Sequence, residues 1–188
     1  MGKRTRVMAG AIATLLFMGV LIPASRAGRL DVESKEQVVR YLLATVRAFR
    51  TVYVKDIEEH VRKGGVYPKE QWAQDAHAIM LPFQFVKLAA AELKGAAKDV
   101  EVGVISLTPI YASNFPQTEA EVAALKAMME HPAQTLVTFT DGAQFKGLAA
   151  DFAIEQACAD CHNRHPTSTK RDFKQGDLMG AVVVRLKK

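Results

Sequence analysis

The chain has 188 residues, with 25 Lys and Arg against 20 Asp and Glu and a formal net charge of +5. Its charges of both signs are interspersed, which leaves no electrostatic footprint for nucleic acid or an anionic membrane surface. Only two cysteines are present, a close pair that in an exported chain invites a disulfide reading until the residue after them is considered.

Lys3, Arg4 and Arg6 precede an apolar run from Val7 to Ile22, and Ser25 and Ala27 are the small residues of a cleavage site. Residues 1–27 therefore read as a signal peptide. The run is shorter than the roughly 20 residues a spanning helix prefers. Cleavage leaves 188 minus 27, or 161 residues, a single domain over 28–188. It also removes Lys3, Arg4, Arg6 and Arg26, so 21 basic residues face 20 acidic ones and the mature charge falls to +1. The expected location is the periplasm, with no membrane contact after cleavage.

From Ser34, with Gln37 three residues on, Val38, Val39, Leu42, Leu43, Val46, Phe49 and Tyr53 recur at helical spacing until Gly64-Gly65 and Pro68. This predicts one long amphipathic helix. A second helix is predicted from about Glu70 to Leu93, bent near Leu81 by Pro82. The period then changes to two, and Val100 to Leu107 reads as a strand.

After a loop with Pro109, Asn114 and Pro116, Thr118 and Glu121 form a capping box for a helix over Glu119 to Glu130. Leu136 to Thr140 and Ala143 to Phe152 read as a hairpin around Asp141-Gly142, and Ala181 to Leu186 as the last strand. Helices first, then strands with one helix between them, predict an α+β domain.

Cys158-Ala159-Asp160-Cys161-His162 has the order by which two thiols add to the two vinyl groups of a haem while the adjacent imidazole reaches the iron. Two intervening residues place the sulfurs about one helical turn apart. A disulfide or a thioredoxin-type redox pair shares the Cys spacing, but neither explains His162. One covalently attached haem c is thus expected, at Cys158 and Cys161, with His162 as the proximal iron ligand. On the iron's other face, spacing does not choose among His60, His77, His131, His165, Met179 and an open position.

These residues resemble the PAS-like c-type haem domain family, known as the periplasmic sensor of some histidine kinases and as free-standing monohaem cytochromes c. The resemblance is carried by Cys158-x-x-Cys161-His162 with Asn163 and Pro166, and by Phe173-Lys-Gln-Gly176-Asp177-Leu178-Met179-Gly180-Ala181-Val-Val-Val184. The segment Ser106-Leu-Thr-Pro109 through Asn114, Pro116 and Glu119 to Leu125 matches more loosely. The resemblance implies a PAS-like antiparallel sheet flanked by N-terminal helices, with the haem-attachment motif near the C-terminus. Some members ligate iron by an unusual distal Cys five residues before a recurring Pro. Here that position before Pro82 is His77, which the resemblance offers as the distal ligand.

Two firm ligands would suit one-electron transfer or redox sensing, and an open or displaceable distal site would suit gas sensing. Any signal is expected to pass to a separate redox or signalling partner, since no output segment comes after Lys188. No distal acid/base residues for peroxidase-like turnover can be picked out of the sequence, so enzymatic activity is not expected. Cytochromes c′ also carry the motif near the C-terminus, on the last helix of a bundle; the β-branched runs at Val100 to Leu107 and Ala181 to Leu186 argue against that fold.

Overall fold

The computed structural model describes residues 31–187 together with Gly2. Gly2 apart, the signal peptide expected over residues 1–27 lies outside them. No helix among the described residues is long and apolar enough to cross a membrane.

Helix α1 spans Val32–Val52. It begins earlier than the Ser34 signal implied, because Asp31 caps it by accepting the Ser34 N–H at 2.7 Å. The rod continues through a π-helical turn, Tyr53–Glu58, into α2, Glu59–Lys63. Gly65, at φ +80°, ends it with a left-handed residue that glycine adopts without strain.

The helix expected from Glu70 is absent. The segment instead forms two short parallel strands, β1 (Tyr67–Pro68) and β2 (Ala78–Ile79), around a 3₁₀ turn at Trp72–Gln74. Helix α3 then runs from Pro82 to Ala96. Proline fits the first helical position because its missing N–H is one that the helix leaves unpaired anyway. Gln84 accepts the Leu81 N–H at 2.9 Å and completes that end. Pro82 starts a helix; it does not bend one.

Strand β3 (Val100–Ile105), helix α4 (Glu119–Glu130), strands β4 (Leu136–Asp141) and β5 (Gln144–Phe152), helix α5 (Gln156–Arg164) and strand β6 (Leu178–Lys187) complete the chain order. The four longer strands form one antiparallel sheet in the order β3-β6-β5-β4. The domain is α+β, with its N-terminal helices packed on this sheet.

Period-two alternation decides what each face buries. Phe145, Ala149, Val182, Val184 and Leu186 turn toward α1 and pack on Val39 and Leu43. Leu148, Ala150, Ala181 and Val183 turn the other way, where α4 brings Leu125 and Met128. Burying a Val or Leu of this kind contributes about 1.5–3 kcal/mol. A third cluster of Ala153, Ala159, Phe173 and Met179, with Cys158 against it, seats α5 at the end of the sheet.

Candidate functional site

Helix α5 is short and presents the Cys-x-x-Cys-His motif on one face because its single fully buried residue, Ala159, faces Phe173 and Met179. Gln156 and Asp160, at i and i+4, bond at 2.8 Å on its exposed side. Cys158 is half-buried and Cys161 exposed, and both are free thiols. Burial is the main cause that pushes the Cys161 thiol above its ordinary pKa, and the Glu70 charge adds to it. A raised thiol is a poor partner for spontaneous disulfide exchange.

Both cysteines and His162 line a cavity of about 550 Å³, within the range of cofactor sites. Its floor is the end of β3 and the start of β6, where Ile105, Ser106, Met179 and Gly180 meet. Gly180 is required there: a Cβ would run into the carbonyl oxygen of Ile105. The wall facing α5 comes from Arg50 of α1, Glu58 of the π turn, Arg62 of α2 and the stretch Leu81, Pro82 and Phe83. Tyr111 and Asn114 close a third side.

His162 is held as a neutral imidazole. Burial, followed by the charges of His165 and Arg50, lowers its pKa to about 4. Its Nδ1 is buried and finds no hydrogen-bond partner. The ring meets the Phe173 ring edge-on, with centroids 5.9 Å apart. Phe173 is in turn pinned by Asn163, whose amide donates to its carbonyl at 2.8 Å and accepts its N–H at 2.9 Å.

Of the residues considered for the iron's other face, only His165 and Met179 line the cavity. His165 has its Nε2 3.0 Å from Glu70 and its Nδ1 2.9 Å from the Thr167 hydroxyl, so both nitrogens are engaged. Met179 packs with Ala159 and Phe173, on the α5 side. His77 is exposed and is not part of the cavity wall. Its N–H bonds to Asp75 at 2.8 Å and its carbonyl accepts from Tyr67 at 3.0 Å, which fixes its backbone at the start of β2. His60 and His131 are likewise exposed and outside the wall.

The charged part of the wall was not legible in the sequence. Glu58 and Arg62 stand among Glu59 and His60 and read as a solvated helix face. The π turn inserts one extra residue, rotating the downstream residues by about 100° relative to an unbroken helix. Glu58 is thereby buried, and burial, its largest influence, raises its carboxyl pKa. Arg50, 3.1 Å from Asp151, is a second buried pair on this wall. Glu70 accepts from the Tyr111 hydroxyl and approaches His165, joining three segments distant in sequence.

No curated protein matches the chain. A solved structure, described as the cyanobacterial heme-protein Tll0287, aligns over 85% of this chain and 98% of its own, with a TM-score of 0.59 and 16% identity. At that identity the likeness is one of fold. The sequence model of one family matches residues 30–186, nearly all of the described chain, and the protein therefore belongs to the Tll0287-like family.

Proposed function

We propose that this chain is an exported monohaem c-type cytochrome that works by one-electron transfer or redox sensing. The single observation that carries the reading is the joint placement of Cys158, Cys161 and the partnerless, neutral His162 in one wall of a haem-sized cavity. A neutral imidazole is the form that ligates a metal, and burial holds His162 in that form at the cavity wall. The two thiols would hold the haem by thioethers, His162 would ligate its iron, and Phe173 with Asn163 would fix the imidazole's plane. When bound, the haem supplies a one-electron couple in a largely apolar pocket. The solved haem protein of the same fold and the shared family support this reading. The signal-like N-terminus supports a periplasmic location, where such attachment takes place.

A second reading has its own observation. His77, the distal ligand suggested by position, lies outside the cavity, and the wall's other imidazole is already bonded on both nitrogens. An open or displaceable sixth position would make the protein a sensor of small diatomic ligands. Spectra of the matured protein, reduced and then exposed to carbon monoxide, separate the two. A low-spin spectrum that ignores carbon monoxide supports two firm protein ligands and electron transfer or redox sensing. A high-spin spectrum that shifts supports ligand sensing and excludes His77.

A further inference from the structure

Three arginines line the cavity, and they are not equivalent. Arg50 is matched by Asp151 at 3.1 Å. Arg164 is exposed on α5, its contact to Asp160 loose at 3.8 Å. Arg62 differs from both. Its Nε is buried with no acceptor, and its single ion-pair contact, to Glu58, is long at 3.3 Å. Charge-assisted bonds of this type ordinarily close to about 2.7–2.9 Å.

Glu58 is the mirror of this shortage. It is 4% exposed, and its Oε1 is buried without a partner. Burial raises its carboxyl pKa, against the pull of Arg62 and Arg50 and with that of Glu155. The π turn thus sets, side by side in the cavity wall, a guanidinium nitrogen without an acceptor and a carboxyl oxygen without a partner.

We propose that Arg62 receives a carboxylate of the cavity's ligand, a haem propionate. The assignment rests on the haem reading above. The planar guanidinium offers Nε and an Nη in the fork that suits a carboxylate. The propionate displaces the loose Glu58 bond. Arg50, held by Asp151, and Arg164, in water, are not needed for this.

The test uses the mature chain without haem, titrated with mesohaem, whose ethyl groups cannot form thioethers, and with mesohaem dimethyl ester, which lacks the free carboxylates. Arg62→Gln should weaken mesohaem binding roughly tenfold or more, the scale of a charge-assisted bond, and leave binding of the ester unchanged. Arg62→Lys should lose less. Equal losses for both haems, or none for either, overturn the assignment. If circular dichroism shows Arg62→Gln unfolded, Glu58→Gln serves: it leaves Arg62 in place without its loose anionic partner and should keep the preference for mesohaem over the ester, and loss of that preference overturns the proposal. A wild-type chain that binds neither haem overturns the haem reading itself, and this assignment with it.

Discussion

Lys146 and Arg185 stand opposite each other on β5 and β6 as direct cross-strand partners, both buried, and the carboxylate of Glu121 bridges them. Glu121 lies 2.9 Å from the Lys146 ammonium, and 2.7 and 3.0 Å from two nitrogens of Arg185. Asp141 and Glu101 complete the cluster at 2.8 and 2.6 Å. Two like charges in register would repel, and three carboxylates offset them, of which Glu121 of α4 is the one that both share.

Replacing Glu121 by Gln should therefore be severe. The change removes the one fully buried carboxylate that the two cations share and leaves each with a single, partly exposed partner, a class of defect that costs up to about 3–5 kcal/mol. Urea denaturation reads it directly. A loss below about 1 kcal/mol would show that the cluster behaves like a surface network.

The same carboxylate sets an acid limit. Burial alone would raise the Glu121 pKa, but bonds from Arg185 and Lys146 outweigh it and bring the value from 4.5 down to about 2. A depressed folded pKa means that the stabilisation is complete above pH 4.5 and is lost as pH falls toward 2. Denaturation midpoints measured across that window should fall in the wild type and be flatter in Glu121→Gln.

Gly180→Ala tests the floor of the cavity. Its Cβ would meet the backbone carbonyl of Ile105, which cannot swing aside as a side chain can, and would lie 3.2 Å from Ser106 Cβ. The β3–β6 ladder must open to admit it, at a cost of about 1–3 kcal/mol. An unchanged thermal midpoint would mean that this edge of the sheet yields without penalty.

Asn163→Ala tests the orientation of His162. It removes both side-chain bonds to the Phe173 backbone and should cost about 1–3 kcal/mol. It should also broaden or shift the visible spectrum of the haem-loaded protein, because the ring packed edge-on to His162 is freed. A stability loss without a spectral change would separate Asn163 from the imidazole.

The motif, the strands and the α+β class were readable because each depends on local spacing. Cys158, Cys161 and His162 fall within one five-residue stretch, and Val100 and Ala181 begin β-branched runs. Pro82 misled because a proline that starts a helix and one that bends it look alike until the preceding segment is placed. Lys146 and Arg185 sit in apolar runs as isolated charges, and only the pairing of β5 with β6 under α4 reveals their shared carboxylate. Glu58 and Arg62 were hidden for a different reason: a π turn changes the helical phase without any residue type that marks it. His77 was inferred from position before Pro82, and the structure places it exposed and outside the cavity wall.

The central claim is a covalent haem at Cys158 and Cys161, and the most direct measurement is the mass of the denatured protein after expression with a c-type maturation system. Covalent attachment predicts a mature chain heavier by one haem that survives denaturation, with Cys158→Ser or Cys161→Ser leaving a single thioether. A competently matured chain that carries no haem through denaturation would contradict it.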